Sequence, residues 1–147
     1  MVPLVSATEV LLVKQYRFAA QAELWEIPAG TLERGEQALV CARRELAEET
    51  GYRARRWKKL TTIYSSPGIL DERLHLYAAW ALRGGAPRPE ADEDMVCRWL
   101  PMGRALAMVR SGTIADAKSI CALLYAAEFG LPGVPGDSRR VRTGSTP

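Results

Sequence analysis

Residues 30–52 read GTLERGEQALVCARRELAEETGY, and this stretch decides how the rest of the 147-residue chain is interpreted. The segment 36–50 is rich in Ala, Leu, Glu and Arg and has no interior Gly or Pro, as helices prefer. Gly51 follows directly, and a glycine at this place is a common helix stop. The sequence therefore predicts a helix over 36–50 that ends at Gly51.

Three glutamates, Glu45, Glu48 and Glu49, are spaced three and four residues apart on this predicted helix, so their carboxylates share one face. Hard divalent ions such as Mg²⁺ take oxygen ligands and bind phosphate oxygens at the same time, so the cluster suits a metal-assisted phosphate reaction. An acidic helix face is also often merely solvated, with Arg44 and Glu48 as an ordinary surface pair. The short pattern alone favours that second interpretation.

A wider pattern separates the two interpretations. The family pattern G-x5-E-x7-R-E-U-x-E-E-x-G-U, with U apolar, is matched at Gly30, Glu36, Arg44, Glu45, Leu46, Glu48, Glu49, Gly51 and Tyr52. So many fixed residues at fixed spacing are not expected by chance. Over residues 9–129 the chain resembles the Nudix hydrolases.

The resemblance implies an α/β fold of the Nudix type, in which a mixed sheet lies between helices as an α/β/α sandwich. It also implies a divalent metal, usually Mg²⁺ with Mn²⁺ as a substitute, bound by catalytic carboxylates and one backbone carbonyl. The implied ligands are Glu45, Glu48, Glu49 and the carbonyl of Ala29. Glu36 and Arg44 would hold the ligands in place, as residues around a metal site commonly do.

The implied reaction is attack of water on one phosphorus of a diphosphate, with no covalent enzyme intermediate. In ADP-ribose-type members the general base comes from a loop far from the box, and the acidic loop 90–94 (EADED) stands in the matching place. Glu93 is the favoured base, and a solvated loop is the alternative.

Three features resemble the ADP-ribose pyrophosphatase subfamily. They are the segment 14–17 (KQYR), the segment 25–30 (WEIPAG), and Pro67, sixteen residues after Gly51. By this analogy Arg17 contacts a phosphate or ribose and Glu33 touches the substrate from the box. Trp25 and Glu26 are further substrate-binding candidates. Surface salt bridges are the alternative for Arg17 and Glu33, and a core position is the alternative for Trp25.

The leading functional hypothesis is hydrolysis of ADP-ribose, or a related nucleoside diphosphate sugar, to AMP or another nucleoside monophosphate and a sugar phosphate. One alternative is a nucleoside triphosphate pyrophosphohydrolase that releases pyrophosphate. Another is a nucleotide-binding domain without catalysis. ADP-ribose members typically carry an additional N-terminal segment that builds a swapped dimer and part of the adenosine pocket, whereas eight residues precede Glu9 here. A homodimer is compatible with the resemblance, but no adenine-binding residue carries over.

Composition narrows the partners and the cellular setting. The net charge is only +3, and Arg139, Arg140 and Arg142 account for it, so nucleic-acid binding is not expected. His75 is the only histidine and the three cysteines are scattered, which disfavours zinc centres and disulfide frameworks. No segment approaches the length of a membrane span. A small-molecule nucleotide substrate and a cytoplasmic location are therefore expected.

The remaining sequence predicts one domain over 1–130 and a mobile C-terminal tail over 131–147, which is dense in Gly, Pro, Ser and Arg. Apolar, β-branched runs predict strands, and Ala- and Leu-rich runs predict helices. The predicted strands cover 9–14, 24–27, 57–64, 73–82 and 95–100, and the predicted closing helices cover 103–109 and 115–129.

Overall fold

The computed structural model describes residues 1–84, 95–131 and 133–136. Six strands are described: β1 (Val2–Ser6), β2 (Glu9–Arg17), β3 (Ala22–Glu26), β4 (Arg53–Tyr64), β5 (Arg73–Arg83) and β6 (Val96–Pro101). Three helices accompany them: α1 (Ala38–Thr50), α2 (Met102–Arg110) and α3 (Ala117–Phe129). Every strand and helix predicted from the sequence is present, with ends that differ by up to four residues.

The strands form one mixed sheet. β1 pairs with β5 in parallel and with β2 antiparallel, and β4 extends the β5 side as an antiparallel neighbour. β2 also pairs antiparallel with both β3 and β6. Strand β2 is therefore the element that joins the β3 hairpin and β6 to the rest of the sheet.

The two faces of β5 show that the sheet is a sandwich layer. Because side chains alternate along a strand, Leu76 and Ala78 point into the core beneath α2 and α3, whereas Tyr77 and Ala79 pack with Leu46 of α1. Helix α1 thus covers one face and the other two helices cover the opposite face. The predicted mixed α/β sandwich is confirmed.

Helix α1 ends where the sequence predicted. Gly51 adopts a left-handed backbone with φ of 71°, and its amide donates to the carbonyl of Ala47. A side chain would be strained in this conformation, so a glycine ends the helix at low cost. The helix starts at Ala38, two residues later than predicted.

Two features differ from the sequence expectations. Strand β1 was not predicted, although Val2 and Leu4 are completely buried in the core, because Pro3 interrupts a short run that otherwise alternates. The predicted mobile tail from residue 131 is wrong at its start. Leu131 and Val134 are buried in the core, since these apolar side chains fill the space beside α3. Residues 137–147 lie outside the described part of the chain.

Candidate active site

The loop between β3 and α1, residues 27–37, is here called the box loop, and it lies directly against the carboxylate face of α1. At Gly30 the contact is so close that an added Cβ would lie 1.8 Å from Cδ of Glu45. Only a residue without a side chain leaves room for the Glu45 carboxylate at this point. The sequence therefore places a glycine where the loop must approach the helix.

A second contact joins the box loop to Glu49. The amide of Ala29 donates to Oε2 of Glu49 over 3.1 Å, and Glu49 is only 7% exposed. Ala29 and Glu49 are 20 residues apart in sequence, so the hydrogen bond fixes the loop at the C-terminal end of α1. The backbone of Ala29, which the sequence analysis assigned to the metal site, is thus held beside one of the assigned carboxylates.

Arg44 organises the remaining carboxylates. Its guanidinium donates to Glu36 over 3.1 Å, to Glu45 over 2.8 Å and to Glu48 over 3.0 Å. The hydrogen bond from Arg44 is the main reason that the pKa of Glu36 lies below its ordinary value. In contrast, burial raises the pKa of Glu45, against the opposing effect of Arg44. One cation therefore holds three carboxylates together, and the cluster keeps an excess of negative charge.

The donor set of this cluster fits a hard divalent cation. Glu45, Glu48, Glu49 and the Ala29 carbonyl supply only oxygen ligands, which Mg²⁺ prefers. The space that a Cβ on Gly30 would fill lies at the Glu45 carboxylate, so the loop is shaped for close approach. Within residues 1–84, 95–131 and 133–136, no group of three acidic, thiol or imidazole side chains is already arranged as a set of metal ligands. Each carboxylate is instead directed to a hydrogen-bond donor, Arg44 or the Ala29 amide.

Beyond the carboxylate cluster, four charged residues form a network around Glu26, here called the Glu26 clamp: Arg17, Glu26, Asp116 and Lys118. Arg17 donates through Nε and Nη2 to the two oxygens of Glu26, both over 2.8 Å. Lys118 donates to Oε2 of Glu26 over 2.6 Å and to Asp116 over 2.9 Å. Burial alone would raise the pKa of Glu26, but the hydrogen bonds from the two cations outweigh it and lower the pKa.

The start of α3 ties the clamp to the box loop. Asp116 caps the helix by accepting from the amide of Ser119 over 2.9 Å. The hydroxyl of Ser119, which is fully buried, accepts from the amide of Ile27 over 2.8 Å. The beginning of the box loop is therefore fixed by a helix that lies 92 residues further along the chain.

A cavity of about 240 Å³ opens between the box loop and the start of β5. Ala29 and Gly30 line it, together with the cations Arg73 and Lys118 and the ring of His75. Glu72 is the only carboxylate in the described lining. The rest of the described lining is mostly apolar, so the cavity offers apolar contacts as well as positive charge beside the carboxylate cluster.

Comparison with known proteins identifies this arrangement. A family profile described as NUDIX domain matches residues 1–123. The chain belongs to the Nudix family. Its box is the 30–52 segment, which folds as the loop and helix described above.

The sequence similarity to other Nudix proteins extends well beyond the box. Over 119 residues the chain is 40% identical to an ADP-ribose pyrophosphatase of Bacillus subtilis (strain 168), covering 80% of this chain and 64% of the relative. Over 125 residues it is 36% identical to a GDP-mannose pyrophosphatase of Citrobacter koseri, covering 79% of this chain and 65% of the relative. The chain thus spans just under two thirds of the length of these relatives.

A solved structure described as an ADP compounds hydrolase has the same fold. It superposes with a TM-score of 0.78 at 20% sequence identity, covering 86% of this chain and 68% of that one. At this identity the likeness concerns the fold alone. None of the helices within residues 1–84 and 95–131 is long and apolar enough to cross a membrane.

The residues that the sequence analysis assigned to the Nudix site do not all lie together. Glu26 is 1% exposed and faces Arg17 and Lys118, whereas Trp25, its neighbour on β3, lines a separate groove with Arg98 and Arg104. Adjacent strand residues point to opposite faces of a sheet, so Trp25 and Glu26 do not share a site.

Two other assigned residues lie at or beyond the edge of the described site. Glu33 is exposed at the rim of the box loop, with its carboxylate 3.9 Å from Nε of Arg44 and its amide bonded to Glu36. Glu93 lies outside the described residues.

Sequence reasoning did not find Asp116, Lys118 and Ser119. These residues were interpreted only as the start of a closing helix, and no local pattern connects them with the box. An aspartate directly before an apolar helical run does signal an N-cap. That signal predicts where the helix begins, but it does not indicate that Lys118 forms a hydrogen bond with Glu26.

Proposed function

We propose that this Nudix protein hydrolyses the diphosphate bond of ADP-ribose or a related nucleoside diphosphate sugar, giving a nucleoside monophosphate and a sugar phosphate. The observation that carries the proposal is the docking of Gly30 and Ala29 against Glu45 and Glu49, which brings the loop and the helix of the 30–52 segment into contact. The names of the two relatives, an ADP-ribose and a GDP-mannose pyrophosphatase, support the substrate class.

Nudix hydrolases generally need a divalent metal ion. Here Glu45, Glu48, Glu49 and the Ala29 carbonyl would hold it, and when bound it supplies charge neutralisation on phosphate oxygens and a more acidic water. Mg²⁺ is the proposed ion, with Mn²⁺ as a substitute.

The chain's own residues have distinct tasks in this proposal. Arg44 holds Glu45 and Glu48 through hydrogen bonds of 2.8 and 3.0 Å, which orients both carboxylates. Arg17, whose side chain is 40% exposed, binds a substrate phosphate through the part of its guanidinium that Glu26 does not use. Arg73, on the cavity lining, adds positive charge next to the box loop. Together these residues bind and orient an anionic substrate beside the carboxylates.

The test is a hydrolysis panel in Mg²⁺ with ADP-ribose, GDP-mannose, a dinucleotide and nucleoside triphosphates, with the products identified by chromatography. The expected result is AMP and ribose 5-phosphate from ADP-ribose, or the corresponding pair from another nucleoside diphosphate sugar. Release of pyrophosphate from triphosphates as the preferred reaction would contradict the proposal. Binding of nucleotides without turnover would favour the non-catalytic alternative.

Three further assignments remain predictions of the resemblance. Glu93 is proposed as the general base, a homodimer is one proposed assembly, and a cytoplasmic location is expected. Glu93→Gln would test the first assignment through the pH profile of kcat. Light scattering would test the second.

A further inference from the structure

The pairing of Arg17 with Glu26 leaves part of the arginine free. Arg17 uses Nε and Nη2 for Glu26, and Nη1 makes no hydrogen bond within the described part of the chain. A guanidinium is planar and rigid, so fixing one edge also fixes the direction of its remaining N–H groups. The two 2.8 Å hydrogen bonds therefore determine where Nη1 points.

Glu26 is itself fixed from the opposite direction. Its side chain is 1% exposed, so water contributes little to its solvation. Lys118 donates to Oε2 of Glu26 over 2.6 Å, and the lysine is in turn held by Asp116 over 2.9 Å. A buried carboxylate with donors on both sides has little freedom to rotate. Asp116 is anchored in the N-cap of α3, so the chain of contacts ends in a rigid element.

We propose that Glu26 and Lys118 are positioning residues, which orient Arg17 toward the substrate's phosphate without touching the substrate themselves. This inference rests on the proposed function, because it needs an anionic substrate at Arg17. It replaces the expectation that Glu26 contacts the substrate, since both oxygens of Glu26 are already engaged by cations. The recognised chemistry is a phosphate group of a nucleoside diphosphate sugar.

A purely structural role for the clamp predicts a different pattern of effects. If the clamp only joins α3 to the sheet, breaking it lowers the melting temperature. KM then changes no more than it does in other variants that are destabilised to the same extent. If the clamp positions Arg17, removal of Lys118 changes KM through Arg17 alone. The coupling between the two residues therefore distinguishes the two roles.

The decisive experiment is a double-mutant cycle on the full chain with Lys118→Met and Arg17→Ala, measuring KM and kcat for ADP-ribose or the best substrate of the panel. We expect Lys118→Met to raise KM about tenfold, with kcat changed less than about twofold, because it removes a charge-assisted hydrogen bond from the clamp. In the Arg17→Ala background, Lys118→Met should leave KM unchanged. Lys118→Arg should restore KM to within about threefold of wild type, since it keeps the charge and the donors.

A matched control uses another ion pair of the same strand pair. Lys14 binds Glu23 across β2 and β3, and it lies three residues from Arg17, so it points to the opposite face of β2. Lys14→Met should leave KM unchanged. If Lys118→Met does not fold, as judged by circular dichroism, Lys118→Gln takes its place in the cycle.

The dissociation constant of ADP-ribose in EDTA, measured by calorimetry, gives a second readout that does not depend on turnover. The same tenfold weakening and the same loss of effect in the Arg17→Ala background are expected. Additive effects of the two substitutions, in an enzyme that hydrolyses the substrate, would show that Lys118 contacts the substrate independently of Arg17. This result would overturn the positioning role but not the proposed function. A wild-type protein that neither binds nor hydrolyses any nucleoside diphosphate sugar would overturn the proposed function, and the positioning role with it.

Discussion

Gly30→Ala is the substitution that tests the architecture of the site most directly. The added Cβ would lie 1.8 Å from Cδ of Glu45, whereas ordinary van der Waals contacts begin near 3.4 Å. The Glu45 carboxyl group must therefore retreat by about 1.6 Å, the difference between these two distances. The backbone of Gly30 lies outside the left-handed region, so alanine itself fits the local conformation.

Because the Glu45 carboxyl group must move while the backbone of residue 30 accepts alanine, Gly30→Ala should reduce activity much more than stability. The atoms displaced are the flexible end of one side chain, so the free energy of unfolding should fall by only about 1 kcal/mol, which lowers Tm by about 2–4 °C. A misplacement of 1 Å or more in a catalytic group commonly costs about 10²-fold in rate. We therefore expect kcat/KM to fall about 10²-fold or more, together with a higher Mg²⁺ concentration for half-maximal activity.

The assay is a Mg²⁺ titration of the hydrolysis rate combined with thermal denaturation. Gly103→Ala is the matched control, because a Cβ there meets nothing within 4 Å and Gly103 lies in the first turn of α2. It should retain full activity. Activity of Gly30→Ala within about threefold of wild type at every Mg²⁺ concentration would refute the reasoning. Global unfolding of the variant would refute it as well.

Three further predictions follow from the site and its surroundings. Glu49→Gln should reduce turnover below detection while Tm changes by only a few degrees, because it removes a ligand charge without changing volume; unchanged activity would contradict the metal assignment. Glu26→Gln should lower the free energy of unfolding by about 2 kcal/mol at pH 7. Since the folded-state pKa of Glu26 is depressed, this contribution is complete above the ordinary glutamate pKa of about 4.3 and disappears as pH falls through the folded-state value. Urea denaturation should thus show a wild-type advantage at pH 7 that becomes smaller as the pH falls below about 4.3, and an advantage that does not change with pH would contradict the ion-pair argument. Asp116→Ala should cost about 1–2 kcal/mol through loss of the α3 cap, and a variant as stable as wild type would contradict the capping role.

The sequence was most informative where function depends on local spacing. The helical offsets of Glu45, Glu48 and Glu49 predicted a shared face, and Gly51 predicted the helix end, because both follow from the geometry of a single element. The mixed sheet and its two helical layers followed from the family resemblance together with the order of strands and helices.

The Glu26 clamp could not be predicted in the same way. Glu26 and Lys118 are 92 residues apart, and only the packing of α3 against the sheet brings them together. The sequence does carry one signal: Trp25 and Glu26 are neighbours on a predicted strand, and because side chains alternate along a strand, they cannot both face one substrate. Strand β1 was missed because Pro3 obscured a short alternating run.

The hydrogen bond between Ile27 and Ser119 has a consequence for how the protein is made. The contacts within α1 are local, so they can begin to form once residues 38–50 have left the ribosome. The partner that fixes the start of the box loop is synthesised 92 residues later, and contacts of such long separation form late. Arg17 would therefore acquire an oriented guanidinium only after α3 has been synthesised and has packed against the sheet, and the site would become able to bind substrate at that stage.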